Sequence, residues 1–143
     1  MSLYNPTKEQ VREFFCQTWQ KHQTSMVLTP LESIAARWMV EHPEYHHDFE
    51  HIERALEKEY GVEGGQTNPF LHLSMHLSLT EMIQVDQPKG IQTLYKDLSV
   101  KYDTQHAAQH QMMDCLGEVL WESQRNGTMP DMQRFLTLMQ ARL

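Results

Sequence analysis

The stretch of residues 68–85, NPFLHLSMHLSLTEMIQV, constrains the fold most, because it contains the longest apolar run of the chain. Leucine and methionine alternate with histidine and serine over residues 71–79, a period of two that is typical of a half-buried strand. The run is long for one strand, however, and no β-branched residue occurs before Thr80. Asn68-Pro69 supplies an N-cap followed by proline at the first helical position. We therefore predict a central helix that is apolar on most sides.

Start and stop signals of helices recur along the rest of the chain, together with apolar residues spaced three or four apart. The first helix is predicted from Pro6 to about His22, with Asn5 as its cap. The second is predicted from a Thr29–Glu32 capping box to about His42. The third is predicted from Pro43 to Tyr60, and Gly61 closes it. The fifth carries an apolar stripe from Ile91 to Tyr102, the sixth runs from a cap at Asp103 or Thr104 to about Arg125, and the last begins at residues 128–130.

These segments define the expected fold class, which is all-α. The chain of 143 residues is long enough to bury a core, and its 40% apolar and 22% charged residues are typical of a globular protein. About seven helices and no convincing strand predict a compact helical bundle. No linker, internal repeat or low-complexity segment interrupts the sequence, so we expect residues 1–143 to form a single domain.

Charge and hydropathy exclude several kinds of partner. The net charge is −7 and no cluster of lysine and arginine occurs, which argues against binding to nucleic acid or to an anionic membrane surface. No apolar run has the length of a transmembrane span, and the polar start of the chain does not resemble a signal peptide. Cys16 and Cys115 lie far apart and form no C-x-x-C pair, so we expect reduced thiols in a cytoplasmic protein.

Two histidine pairs with the same spacing are the candidate functional residues. His72 and His76 lie four apart on the central helix, and His106 and His110 lie four apart on the sixth. Residues four apart share one face of a helix, and both pairs border an apolar stripe. Helical bundles hold metal ions with side chains from facing helices, and imidazole is a good ligand for transition metals. The sequence therefore predicts a divalent-metal site of four histidines, with zinc or iron as the candidate ion.

Two carboxylates extend this prediction. Asp114 lies one turn beyond His110, and either Asp114 or Glu118 could be a ligand or orient a ring through its second nitrogen. Three protein ligands and a water molecule would indicate a catalytic zinc. The spacing lacks the glutamate of H-E-x-x-H, so a zincin-type protease is not indicated. No catalytic residue is assigned, and the pattern does not decide whether the protein is an enzyme.

The competing interpretation is a non-enzymatic helical interaction or scaffold protein whose histidines are polar groups of a core or groove. A single pair four apart arises by chance, and each ring can simply bond a carbonyl or carboxylate. The chain has ten methionines, and its methionine and aromatic side chains exceed what a domain of this size can bury. The surplus would form an exposed apolar groove or a homodimer face, and the sequence does not identify the partner. His46 and Glu50 partly resemble the His/Glu order of haemerythrin-type di-iron bundles, but no closing H-x-x-x-x-D follows.

Eight stretches that span nearly the whole chain carry a family resemblance: LYNPT, LTPLE, EHPEYH, NPFLHLSMHLSL, DQPKGI, HAAQH, DCLGEVLWESQRNG and PD. In these stretches the chain resembles a family of small proteobacterial proteins, the domain of unknown function 1841. The resemblance implies a cytoplasmic bacterial protein with an all-helical fold, and it implies no activity. It also implies glutamate where this chain has Gln105 and Gln109, so carboxylates at those positions are not essential ligands here, whereas His106 and His110 are present.

Overall fold

The computed structural model describes residues 7–60 and 68–143, and every regular element within these ranges is a helix. The elements are α1 (Lys8–Gln23), α2 (Pro30–Val40), the 3₁₀ helix η1 (Pro43–Phe49), α3 (Ile52–Glu57), α4 (Pro69–Val85), α5 (Ile91–Lys101), α6 (Gln105–Asn126) and α7 (Met132–Gln140). The predicted all-α class is therefore confirmed. None of the helices so described is both long and apolar enough to cross a membrane.

The chain divides into two compact units, one reaching to Leu77 and the other beginning at Ser78. The division falls inside helix α4, so this one helix supplies residues to both units. A single domain over residues 1–143 stays a prediction.

Helix α4 follows the predicted limits, and its cap is the predicted residue. The Asn68 side-chain oxygen accepts hydrogen bonds from the backbone N–H groups of Phe70 (3.0 Å) and Leu71 (3.2 Å). These bonds satisfy N–H groups that have no partner inside the helix. The alternation of the sequence does not decide burial, since Leu71 is 61% exposed while His76 is fully buried. Burial follows the helical repeat instead.

The first unit is organised around an aromatic core between α1, α2, η1, α3 and the start of α4. Its buried members are Phe14, Phe15, Cys16, Trp19, Ala35, Trp38, Met39, Phe49, Ala55, Phe70, Leu73 and Leu77. Helix α1 begins later than predicted, because Thr7 forms a capping box with Gln10 and the first helical residue is Lys8. The predicted cap at Asn5 and start at Pro6 lie outside the described residues.

The predicted third helix from Pro43 to Tyr60 is wrong as a single element. The structure has the 3₁₀ helix η1, a break at residues 50 and 51, and the short helix α3, which ends at Glu57. His51 has an extended backbone (φ −130°, ψ 100°), which interrupts the helical hydrogen bonds. The predicted closure by Gly61 lies outside the described residues.

The second unit contains the end of α4 and helices α5, α6 and α7. Thr104, one of the two predicted caps, accepts a hydrogen bond from the N–H of Ala107 at 2.9 Å and starts α6. Gly127, which follows the predicted end near Arg125, ends α6 in the left-handed conformation (φ 63°), because glycine adopts this conformation without steric cost. Helix α7 begins after Asp131, which caps it, and thus slightly later than predicted.

Candidate metal centre

Three imidazoles of the first unit come together, and only two of them were predicted. Helix α4 places His72 and His76 one turn apart, and His42 lies just beyond the end of α2. His42 Nε2 is 3.1 Å from His72 Nε2 and 3.3 Å from His76 Nε2. The three ring centroids are 4.8–4.9 Å apart in every pair. We call His42, His72 and His76 the histidine triad.

The tautomer of His42 follows from its other ring nitrogen. His42 Nδ1 is 2.6 Å from the backbone oxygen of Trp38. A carbonyl oxygen can only accept, so the Nδ1–H donates this hydrogen bond. In the neutral ring the Nε2 atom therefore has an unprotonated lone pair, and this atom is the one near His72 and His76. His42 thus has the orientation and the tautomer that a metal ligand requires.

Aromatic rings pack against all three members of the triad. The ring of Trp38, which is fully buried, stacks on His76 with centroids 4.2 Å apart and an angle of 12°. Tyr45 lies parallel to His42 at 5.3 Å and packs edge-on against His72 at 5.8 Å. Burial raises the pKa of Tyr45, so its phenol remains neutral at physiological pH. His42 and His76 are buried beneath these rings, and electrostatic interactions are stronger in such surroundings than in water.

The second unit contains the other predicted pair. His106 and His110, near the start of α6, have their Nε2 atoms 3.0 Å apart, and their rings are nearly perpendicular with centroids 4.4 Å apart. The side chains of this pair thus meet at their ring nitrogens, as the spacing of four residues allows.

These separations fit two nitrogens bound to one ion. At a metal–nitrogen distance of about 2.0–2.1 Å, two ligand nitrogens lie about 2.9 Å apart for a right angle and about 3.3–3.4 Å apart for a tetrahedral angle. The measured Nε2 separations of 3.1 and 3.3 Å in the triad and of 3.0 Å in the α6 pair fall within these limits. An N–H···N hydrogen bond gives similar distances, and the Nδ1–H tautomer of His42 fits both, because its Nε2 lone pair can accept a hydrogen bond or bind an ion.

The predicted carboxylates contact arginines at the surface. Asp114 Oδ2 is 3.4 Å from Arg142 Nη1, and Glu118 Oε1 is 3.3 Å from Arg134 Nη2. Both carboxylate side chains are exposed to solvent. These ion pairs join α6 to α7 and to the residues after it, and they give no support to a ligand role for Asp114 or Glu118.

Three other histidines have different surroundings. His46 Nε2 donates to the Met39 carbonyl at 2.8 Å, and its ring packs on Trp19. His47 is exposed, with Glu50 at 3.5 Å, and His51 is exposed as well. The His46–Glu50 pair therefore gives no support to a haemerythrin-type arrangement.

His42 is the site residue that the sequence analysis missed. His42 lies outside the helices, the histidine four residues after it (His46) is not a triad member, and its triad partners lie 30 and 34 residues further along the chain. The available signal was its position four residues after Trp38 and directly before Pro43, where α2 ends and a carbonyl can accept from a side chain.

The fold and these imidazole groups define an all-helical protein with a candidate metal centre of histidines. The family model described as Domain of unknown function (DUF1841) matches residues 7–141, and the chain belongs to this family. The family resemblance inferred from the sequence is thereby confirmed. No curated protein and no solved structure matches the chain.

Proposed function

We propose that this protein binds a divalent transition-metal ion through imidazole nitrogens, with zinc and iron as the first candidates. The observation that carries the proposal is the position of His42 Nε2, which lies within 3.3 Å of two other imidazole Nε2 atoms while Nδ1 donates to Trp38. The single lone pair of His42 Nε2 accepts one well-aligned hydrogen bond, whereas a metal ion receives a lone pair from each ring. A cation is thus the partner that suits the triad as a group.

The ligand type restricts the ion. Neutral imidazole suits zinc, iron, copper and nickel, whereas calcium and magnesium prefer oxygen ligands. A bound zinc or iron ion would act as a Lewis acid or supply an activated water. The triad residues would hold the ion, and Trp38 and Tyr45 would restrict the access of bulk water.

We extend the proposal to His106 and His110 as further ligands of the same ion. The support is the spacing of four residues, which the sequence repeats in both pairs, and the Nε2 separation of 3.0 Å within the α6 pair. The α6 pair, like the triad, brings Nε2 atoms to separations that suit one ion.

Metal analysis of untagged protein tests the proposal. The ion content and the affinity for Zn²⁺ and Co²⁺ would be measured for the wild type and for two double variants, His72→Ala/His76→Ala and His106→Ala/His110→Ala. A matched control is His47→Ala/His51→Ala, which also removes two imidazoles four residues apart, but from exposed positions. We expect one ion per wild-type chain, loss of binding in the first two variants, and unchanged binding in the control.

Each contrary result has a separate meaning. A wild type without detectable ion after purification, and without uptake of added Zn²⁺ or Co²⁺, would refute metal binding. Binding that is lost with the triad residues but persists with His106→Ala/His110→Ala would refute only the extension to the α6 pair. Two ions per chain, each lost in one variant, would show two separate sites.

An interaction protein is the second candidate function, and one residue of the second unit favours it. Trp121 is 57% exposed, with the Arg125 guanidinium 5.3 Å from its ring. Tryptophan and arginine are enriched where proteins meet. A homodimer detected by light scattering, and dissociated by Trp121→Ala, is the expected result for this candidate. A protein that is monomeric at every concentration would argue against the homodimer.

A further inference from the structure

We infer that Trp38 is a positioning residue of the metal centre and fixes two of its ligands through two different groups. This inference rests on the proposed metal binding. The backbone oxygen of Trp38 contacts His42, and its indole ring contacts His76. His42 lies beyond the end of α2 and His76 lies on α4, so one residue sets the relative orientation of imidazoles that are 34 positions apart.

The contact with His42 results from the way helix α2 ends. In a continuing helix the backbone N–H of His42 would donate to the Trp38 oxygen. Here that N–H donates to Met39 at 3.1 Å, because Pro43 follows and the helix ends. The Trp38 oxygen instead accepts the His42 ring Nδ1–H at 2.6 Å. The ring is thereby held in the tautomer that leaves Nε2 available to a metal.

The contact with His76 acts on the plane of the ring. The indole of Trp38 lies 4.2 Å from the imidazole of His76, and the angle between the planes is only 12°. A stacked, fully buried neighbour of this size prevents rotation of the imidazole about its last side-chain torsion. The direction of the His76 lone pair is therefore set by Trp38. A variant without the indole should retain the imidazole of His76, but the orientation of this ring should no longer be fixed.

The chain contains a matched control for this contact. Trp19 packs on His46 with the same centroid separation of 4.2 Å, also inside the first unit. His46 donates to the Met39 oxygen and is not a member of the triad. Both tryptophans are buried, so replacing either one removes a similar apolar volume from the same core. A general loss of packing would thus affect both variants alike, whereas a positioning role belongs to Trp38 alone.

The experiment compares Trp38→Leu, Trp38→Phe and Trp19→Leu with the wild type. The affinity for Co²⁺ and the visible absorption of the bound Co²⁺ would be measured, together with the urea stability of metal-free protein. We expect Trp38→Leu to weaken binding by about tenfold or more, as loss of a residue that orients metal ligands typically does. Its Co²⁺ spectrum should also change, and Trp38→Phe should be intermediate. Trp19→Leu should keep the wild-type affinity and spectrum despite a similar loss of stability.

The outcomes separate this inference from the proposed function. A wild type that binds Co²⁺, with Trp38→Leu and Trp38→Phe binding it equally well and with the same spectrum, would overturn the role of Trp38 and leave metal binding intact. Equal weakening in Trp38→Leu and Trp19→Leu would also overturn it, since general packing would then explain both. A wild type that takes up no Co²⁺ would overturn both proposals. Should Trp38→Leu fail to fold, the comparison of Trp38→Phe with Trp19→Phe gives the same decision.

Discussion

His42 is buried, and its two ring nitrogens have different partners. Nδ1 donates to the Trp38 oxygen, and Nε2 lies against two further imidazoles. A buried polar group that loses its partner destabilises the folded state, so His42 contributes to stability as well as to the candidate site.

His42→Ala should affect both properties. We expect the affinity for Zn²⁺ to fall by about a hundredfold or more, because loss of a ligand costs at least as much as loss of a group that orients one. The metal-free protein should lose roughly 1–3 kcal/mol of unfolding free energy, because the Trp38 oxygen loses its donor. Titration calorimetry and urea unfolding would measure the two effects.

His46→Ala is the matched control for this change. It also removes an imidazole that donates to a backbone carbonyl, at 2.8 Å to Met39, but this ring lies outside the triad. It should lower stability and leave the affinity for Zn²⁺ unchanged. Equal losses of affinity in the two variants would contradict a ligand role for His42.

Burial makes the thiols of the two cysteines less reactive than free cysteine. Cys16 and Cys115 are free and buried. Burial raises the pKa of the Cys16 thiol to about 11, and burial also raises the pKa of Cys115. At pH 8 only about one thousandth of Cys16 is then thiolate, the form that reacts.

We therefore expect slow labelling of the native protein by a thiol reagent such as DTNB at pH 8. In denaturant both thiols should react at the rate of free cysteine, and the absorbance change should correspond to two groups per chain. Rapid reaction of a thiol in the folded protein would show that it is more accessible than its burial indicates.

At the scale of elements, one carboxylate links α1 to α2. Glu32 Oε2 accepts from Lys21 Nζ at 2.9 Å, and Oε1 accepts from the backbone N–H of Thr29 at the same distance. The Lys21 hydrogen bond, followed by that from Thr29, lowers the pKa of Glu32. A carboxylate whose pKa is lower in the folded state stabilises the protein above its unfolded-state pKa, which is about 4.3. This stabilisation is lost as the pH falls through the folded-state pKa.

Glu32→Gln should accordingly destabilise the protein at pH 7 and have little effect in acid. We expect the difference in unfolding free energy from the wild type to be constant at neutral pH and to shrink progressively below about pH 4. Chemical unfolding at a series of pH values would measure it. Glu13→Gln, an exposed change on α1, should show no such dependence. A difference that is the same at pH 3 and pH 7 would show that the charge of Glu32 is unimportant.

Elements with explicit end signals were predicted well, and the region without them was not. Asn68, Thr29 and Gly127 define helix ends through bonds and backbone conformations within a few residues. The segment between Pro43 and Tyr60 has apolar residues at helical spacing, yet it breaks at His51. The same spacing of three and four residues suits a 3₁₀ turn followed by a short helix, and contacts distant in sequence decide between the two arrangements.

At the scale of the whole molecule, helix α4 contributes to the interior of both units. Phe70, Leu73 and Leu77 belong to the core of the first unit. In the second unit Leu79 is buried, and Thr80 accepts a hydrogen bond from Gln109 at 3.1 Å. Helix α4 therefore supplies buried side chains to each unit.

We expect one cooperative unfolding transition, as the predicted single domain requires. The calorimetric and van't Hoff enthalpies should agree. Asn68→Ala, which removes the cap of α4, should lower the stability of the entire transition by about 1 kcal/mol. Two resolved transitions, of which Asn68→Ala shifts only one, would show that the units unfold independently.

The helical class, most helix limits and the two histidine pairs could be predicted from the sequence, because caps, prolines and a repeat of 3.6 residues act over short distances along the chain. Three features are visible only in the folded chain: His42 lies beside His72 and His76, Trp38 contacts two of these three rings, and Asp114 and Glu118 pair with arginines. These contacts depend on distances between residues that are remote in the chain, and local hydrogen bonding does not encode such distances.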